Sequence, residues 1–463
     1  MARMPTNMFM TFTWKPILRT GIAAILLGGN ILIPPGDARA ETPLADCSQN
    51  AALYYWKATS LIQTPTTRDE LEYAGKADVL LADVSPAIFA AQPEMLQWLL
   101  NAGPMLPALR QARSCAICEF PIHTSSVPFL DLSHLPRLRA LTHRAQAMAK
   151  AYEFVDNTPG AAAIYVDLLK LVQHLDQDRN LISGFVATEL LQLNLSDLES
   201  FFSRNPSAEA VAPLTEYFNA LPSPVFHPGN YLRDEVRRYG DWLLADPVRP
   251  EARLNRLYRN AKSKPAVEKL MTLDPQKKKE RLQGWVDDYR KRMAALAEAV
   301  DLPFASGLPR IRQLDRQKET LQASTLTPGG NPLVPLLVPT AAEMYERFLL
   351  AEAQFDMLQI LCAAAAYRAD MGSWPPNIDA INRHARRLMP KDPFSGDKFY
   401  YRIERGMPVI ITRVPKRMLS QKKYSYLLGI HQRLRIDEEN TMNAAKDIRD
   451  LAVRKANESV PME

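Results

Sequence analysis

Apolar residues recur at spacings of three and four through the first half of this chain, and this pattern constrains its fold more than any other feature. Three successive runs carry it: Leu135 to Val155, Ala161 to Leu175 and Ile182 to Leu193. Such spacings place side chains on one stripe of an α-helix, which is buried against a neighbouring element. Because only short connectors separate the runs, adjacent helices are expected to be antiparallel. The sequence predicts a mainly α fold, a helical bundle or hairpin array, over residues 41–325.

A proline-rich segment, residues 326–339, ends this helical region and contains four prolines and a Gly-Gly pair. This composition is typical of a domain linker or of a strap that lies along a surface. Thr340 and Glu343 follow at the spacing of a capping box, in which a hydroxyl and a carboxylate accept two free backbone amides. A long helix is therefore expected to begin there and to end at Gly372, because glycine readily adopts the left-handed conformation.

The pattern changes after this helix. Residues 398–403 and 409–414 are β-prone, and the residues between them can turn one run into the other. We interpret residues 340–435 as a helix followed by a small β module, which gives the mainly α chain a small C-terminal α+β module. Residues 436–463 are expected to form a C-terminal helix and a polar tail.

The N-terminus has the layout of a secretory signal peptide. Basic residues precede an uncharged run from Gly21 to Ile33, and Ala38-Arg39-Ala40 supplies an A-x-A cleavage site. The run has 13 residues, fewer than the roughly 20 that a membrane-spanning helix needs. We expect residues 1–40 to be removed and the mature protein to be periplasmic or extracellular, with no transmembrane span after cleavage. A retained anchor is the alternative interpretation.

Export makes disulfides available to the four cysteines, which can pair in three ways. Cys115 and Cys118 have the C-x-x-C spacing of redox motifs. The segment before them predicts a short helix, however, whereas a thioredoxin-like unit has a strand there. Structural disulfides that involve Cys47, Cys115 or Cys118 are therefore favoured over redox catalysis, with the connectivity left open. Cys362 lies on an apolar stripe and is expected to be a buried thiol.

The seven histidines show no pair with the helical spacing of a zinc site. His143, His174 and Glu189 lie on consecutive predicted helices, so folding can bring them together, although nothing in the sequence requires it. No nucleophile elbow or phosphate-binding glycine loop is present. The sequence therefore predicts no cofactor, and it leaves catalytic residues and metal ligands unassigned.

Basic charge is concentrated in two segments. Residues 249–292 hold 14 basic and six acidic residues, and residues 383–423 hold twelve basic and three acidic residues. The rest of the mature chain is acidic, so it can dock on basic segments of its own chain or of a copy. The alternatives are an anionic envelope partner and solvated helix faces, the usual environment of a run such as Lys277, Lys278 and Lys279. Export argues against nucleic acid.

The turn at Asp392 has a local explanation. Asp392 can accept backbone amides as an Asx turn, Pro393 fixes the backbone, and Gly396 permits a positive φ before a strand. These residues are predicted to form a structural turn.

Residues 341–415 resemble the soluble part of type II secretion major pseudopilins. The resemblance rests on several short motifs in order, namely Tyr367 to Gly372, Trp374-Pro375-Pro376, Asp392 to Gly396 and Tyr400-Tyr401. It implies a helix that ends at a turn, followed by a loop that leads into a small sheet. In that family calcium often binds beside this loop, and the resemblance implies that Asp392 and Asp397 supply oxygen ligands. This is a weaker interpretation than a structural turn, since calcium takes about six to eight oxygen ligands.

Most of the mature chain also resembles a group of uncharacterised, exported, helix-rich bacterial proteins. Cys118-Glu119-Phe120 and Leu135-Pro136-Arg137-Leu138 carry this likeness, which implies no activity. We therefore expect a non-catalytic structural or interaction protein of the cell envelope, whose partner is an envelope protein or an anionic envelope surface. The alternative is a secreted hydrolase with a carboxylate-lined or metal-assisted site in the helical domain.

Overall fold

The computed structural model describes most of the chain between residues 49 and 413. The described residues are 49–62, 89, 93–101, 103–120, 132–204, 207–221, 224–247, 251–257, 265–324, 330–404 and 406–413. The predicted signal peptide 1–40, Cys47 and the predicted C-terminal helix and tail 436–463 lie outside the described residues.

The described residues form fifteen helices and one two-stranded antiparallel sheet. The first eight helices are α1 Ala51–Ser60, α2 Pro93–Asn101, α3 Met105–Ser114, α4 His134–Phe154, α5 Thr158–Gln177, α6 Leu181–Arg204, α7 Ala208–Asn219 and α8 Pro228–Leu244. The others are α9 Glu251–Leu257, α10 Pro265–Met271, α11 Pro275–Val300, α12 Phe304–Ser324, α13 Leu333–Leu337, α14 Ala341–Met371 and α15 Ile378–Ala385. The strands are β1 Tyr400–Glu404 and β2 Met407–Ile411. This confirms the predicted fold class.

Helix α5 lies at the centre of the first half, where it packs against α3, α4, α6 and α7. The apolar stripe predicted along it is fully buried, for example at Ile164 and Leu171. Its N-terminal cap is Asn157, whose side chain accepts the amide of Gly160 at 3.1 Å. Thr158 is the first helical residue, and the neighbouring asparagine supplies the oxygen that the helix start requires.

Helix α14 is the core helix of the second half and packs against α6, α7, α12 and α15. Within the described residues it is the one helix long and apolar enough to span a membrane. Its most apolar 18-residue window is 94% buried inside the fold. Neighbouring helices therefore already cover its apolar surface.

The hydroxyl half of the predicted capping box at the start of α14 is wrong. The Thr340 side chain makes no capping hydrogen bond. Instead, the two carboxylate oxygens of Asp315 in α12 accept the amides of Ala341 and Ala342, each at 3.1 Å. A carboxylate from another helix thus satisfies the donors and favours the positive end of the helix dipole.

Helices α8 and α11 pack closely along each other, and α12 and α13 join them. The described part of the proline-rich segment, residues 330–339, contains α13, in which Leu333 and Val334 are buried. Asn331 donates to the carbonyl of Trp285 at 2.9 Å and so fastens this part of the segment to α11.

The C-terminal module consists of α15 and the β1–β2 ribbon, which packs on α14 through β2. Tyr401 pairs with Ile410 across the ribbon, and the Tyr401 hydroxyl donates to the Pro375 carbonyl at 2.9 Å. Strand β1 ends at Glu404 and β2 begins at Met407, so the strands lie closer in the sequence than the predicted turn 404–408. Gly406 accounts for the difference because its φ of 80° permits a tight connection. Gly372 ends α14 with a φ of 73°, as predicted.

Candidate functional site

The Cys115–Cys118 segment joins the start of the described chain to the helical body. Asn50 Oδ1 accepts the amide of Glu119 at 3.0 Å, and Asn50 Nδ2 donates to the Glu119 carbonyl at 2.9 Å. Cys115 and Cys118 are both free and buried, and burial raises the pKa of each thiol. Raised thiol pKa values oppose thiolate chemistry. The structure therefore gives this element a structural role, and a disulfide to Cys47 stays a prediction.

His174 is part of the same buried contact. Its Nε2 lies 3.2 Å from the carbonyl of Cys115, which can only accept, so Nε2 carries the proton and Nδ1 accepts from the Tyr55 hydroxyl at 2.7 Å. Burial, with the nearby Lys170 charge, lowers the pKa of His174 to about 3. The imidazole is neutral at physiological pH and fixes α1 to α5.

Glu189, which belongs to the same hypothetical metal set, forms an ion pair with Arg139 at 2.6 Å. Among the described residues, no group of three or more His, Cys, Asp or Glu side chains could hold a metal ion. His143, His174 and Glu189 thus form no such group.

Asp392 forms the structural turn expected from the sequence. Its Oδ1 accepts from the amide of Phe394 at 3.0 Å and the hydroxyl of Thr412 at 2.8 Å. Its Oδ2 accepts from the Ser395 hydroxyl at 3.3 Å and the Arg413 amide at 2.6 Å. These four donors use the lone-pair sites that a cation would need.

The residues around Asp392 complete the turn. Pro393 follows the carboxylate in the loop, and Gly396 has a φ of 74°. Asp397 pairs with Arg413 at 3.0 Å. The loop therefore closes through its own hydrogen bonds and joins both ends of the β module.

The lysine run begins the long helix α11. Asp274 caps that helix by accepting the amide of Lys277 at 3.0 Å, and it also pairs with the Lys277 ammonium at 3.1 Å. Lys277 and Lys279 are exposed, and Lys278 is partly buried. This solvated helix end agrees with one of the three interpretations of the basic face and leaves the lysines accessible.

A polar cluster that the sequence reasoning missed lies where α5, α8 and α14 meet. Asp176 in α5 accepts from His227 Nδ1 at 2.8 Å, from the His227 amide at 2.9 Å and from the Tyr231 hydroxyl. The hydrogen bond to Asp176 raises the pKa of His227, whose side chain is 44% exposed. An imidazole oriented by a carboxylate is the arrangement of a general base.

Two buried carboxyl groups of α14 adjoin this pair. Glu352 accepts the amides of Val225 and Phe226 at 3.0 to 3.1 Å, and burial raises the pKa of its carboxyl to about 7. Burial, followed by the charges of Glu352 and Asp392, raises the pKa of Asp356 well above its usual value. The only local signal was two acidic residues, four apart, in the mostly apolar middle of the helix.

An open groove of about 680 Å³ lies between α7 and the last turns of α14. We name it the α7–α14 groove, and its lining is Ala208, Val211, Ala212, Thr215, Glu216, Asn219, Ala220, Ala366 and Asp370. Most of these side chains are small, and Glu216 and Asp370 are acidic and exposed.

Two large exposed apolar side chains follow, in the sequence, residues that lie at or near the groove. Met371 follows the lining residue Asp370 and is 59% exposed. Leu388 is 84% exposed and follows Arg387, which donates to the carbonyl of Phe218 at 3.1 Å, and Phe218 precedes the lining residue Asn219. The groove itself combines mostly small side chains with two exposed carboxylates.

The described residues therefore offer two features with functional geometry: the half-exposed Asp176–His227 pair and the α7–α14 groove. The pair can accept or donate a proton, and the groove can receive an extended or helical segment. Comparisons of the chain with protein-family models, with curated proteins and with solved structures each found no match.

Proposed function

We propose that this protein is an exported, non-catalytic interaction protein of the cell envelope that binds a protein partner in the α7–α14 groove. The observation that carries the proposal is the groove itself, since its small side chains leave room for another backbone to approach α7 closely.

The chemistry of the groove indicates the class of partner. Helix α7 has two acidic residues, Glu209 and Glu216, and no basic residue. Of these, Glu216 lines the groove, and Asp370 supplies its second carboxylate. A matching segment has a small or apolar face flanked by lysine or arginine, because complementary charge favours the correct partner and its rate of association. An amphipathic segment of an envelope protein has this character.

The resemblance of residues 341–415 to the pseudopilin globular region supports an envelope role. In this proposal the module adjoins the groove and holds α14 and α15 in place beside it. Partner binding then requires neither a cofactor nor a reaction.

Capture from envelope extracts tests the proposal with a matched pair of variants. Ala212→Arg places bulk and positive charge in the groove, whereas Ala294→Arg places the same side chain at an exposed position of α11. We expect the first variant to reduce recovery of the partner about tenfold, and the second to leave it unchanged. Recovery by the parent chain should fall with added salt. Equal recovery of the partner by both variants would mean that the partner does not bind in the groove.

The Asp176–His227 pair favours a second candidate, a hydrolase in which His227 acts as the general base. Assay of the full chain against ester, phosphoester and peptide substrates tests it, with His227→Gln as the variant. The hydrolase candidate requires turnover that His227→Gln lowers by at least about a hundredfold. Absence of turnover in the parent chain, or equal turnover in the variant, rejects it.

A further inference from the structure

The end of the described chain lies near the α7–α14 groove. Arg413 follows β2 and pairs with Asp397, and the next residue, Lys398, pairs with Asp379 in the first turn of α15 at 2.6 Å. In the last turn of α15, His384 pairs with the groove residue Asp370 at 2.8 Å. Because Asp379 and His384 are five residues apart in α15, they are about 7.5 Å apart along the helix axis.

The sequence that follows has the chemistry that the groove requires. Residues 414–435 contain six basic residues and no acidic residue: Lys416, Arg417, Lys422, Lys423, Arg433 and Arg435. An apolar stretch, Tyr424 to Ile430, lies among them. Twenty-two residues can span up to roughly 70 Å when extended, several times the distance to the groove.

We infer that residues 414–435 occupy the α7–α14 groove of their own chain and compete with the partner for it. Their basic side chains pair with the exposed carboxylates of the groove, Glu216 and Asp370. Attachment to the same chain gives the segment an effective concentration in the millimolar range, which favours it over a dilute partner. This inference rests on the proposed function of the groove and adds its regulation: a partner binds by displacing the tail.

Thiol labelling of the full chain tests this directly. Ala212→Cys introduces a thiol into the groove, and Ala294→Cys introduces one on α11 as the control; labelling is read for the peptide that contains each position. A second set of chains also carries Lys416→Glu, Arg417→Glu, Lys422→Glu and Lys423→Glu. We expect these tail substitutions to speed labelling at position 212 about tenfold, because ion pairs become repulsions, and to leave position 294 unchanged.

Each other outcome overturns the inference. Equal labelling at position 212 with and without the tail substitutions means that the tail does not occupy the groove. Protection that weakens on dilution means that a second copy is the occupant, since occupation by the same chain is independent of concentration. Partner capture is read separately. Tail substitutions should increase recovery of the partner. Recovery that falls with Ala212→Arg but does not change with the tail substitutions would reject the tail as the occupant of the groove and leave the proposed function intact.

Discussion

Glu352 in α14 accepts the backbone amide of Val225 at 3.0 Å, although 127 residues separate them in the chain. The same carboxyl group accepts the amide of Phe226, so a single buried side chain fixes the segment that leads into α8. The charge of Asp176 also raises the pKa of Glu352, and the charge of Glu352 raises the pKa of Asp356. The nearby imidazole is that of His227. This cluster links three helices and makes their packing dependent on protonation.

We predict that the protein loses stability as the pH rises from about 5 to 8. Burial raises the pKa of Glu352 from its usual 4.5 to about 7, so the folded state binds this proton more tightly than the unfolded state. The resulting stabilisation is complete below about pH 4.5 and is lost as the pH rises through 7. Urea denaturation at several pH values should therefore show a smaller pH dependence for Glu352→Gln than for the parent.

That experiment has a matched control variant, and three other buried carboxyl groups contribute to the same pH dependence. Glu216→Gln changes an exposed carboxyl group and should leave the pH slope unchanged. Burial also raises the pKa of Asp167 and Glu235 to about 7 and that of Asp197 to about 6, so Glu352→Gln reduces the slope without abolishing it. An identical slope in Glu352→Gln and the parent would contradict the assignment.

The cap of α14 gives a second prediction. Asp315→Ala should lower the free energy of unfolding by about 1 kcal/mol, the usual value of a helix cap, because two backbone donors lose their acceptor. Thr340→Ala should have a much smaller effect, since that hydroxyl makes no capping bond. Chemical denaturation of both variants compares the two residues, and a larger effect at Thr340 would restore the capping box.

Two glycines within helices should respond oppositely to alanine. A Cβ at Gly284 in α11 meets nothing within 4 Å, so Gly284→Ala should stabilise the protein by about 0.5 to 1 kcal/mol. A Cβ at Gly307 in α12 would lie 2.8 Å from the carbonyl oxygen of Ala299, and Gly307→Ala should destabilise it by about 1 to 3 kcal/mol. Thermal unfolding of both variants checks the signs, and a stabilised Gly307→Ala would show that α12 packs less closely than described.

The turn at Asp392 should be the most sensitive point of the C-terminal module. Asp392→Ala leaves the amides of Phe394 and Arg413 without their acceptor, and each lost partner costs about 1 to 3 kcal/mol when buried. Hydrogen exchange in residues 392–413 should accelerate strongly. Asp397→Ala removes only an exposed ion pair and should change exchange little. Equal exchange in the two variants would mean that other contacts hold the module together.

The helical stripes could be predicted from the sequence because they depend on local spacing. Ile164 and Leu171 are buried as their spacing requires, and Gly372 ends its helix for a reason intrinsic to glycine. The cap by Asp315 could not be predicted in this way, because it joins two different helices. Local spacing indicates Thr340 as the cap of α14, whereas tertiary packing brings the Asp315 carboxylate to the start of that helix.

The candidate functional features could not be predicted from the sequence, for the same physical reason. Asp176 and His227 are 51 residues apart, and no periodic pattern relates residues on different helices. The groove depends on how α7 and α14 pack, since small residues such as Ala212 mark an open face only when the neighbouring helix leaves it uncovered. Glu352 and Asp356 left a local signal, as acidic residues on an apolar helix, but the sequence did not show what they face.

Photo-crosslinking from the groove is the most direct test of the central claim, which is that the α7–α14 groove binds a basic segment. A photo-reactive residue replaces Ala212 in one chain and Ala294 in the other, and the crosslinked peptides are sequenced by mass spectrometry from envelope extracts. We expect position 212 to crosslink to a segment rich in lysine and arginine, and position 294 not to do so. That segment comes from a partner or from residues 414–435. Equal crosslinking from both positions, or crosslinks from position 212 to segments without basic residues, would contradict it.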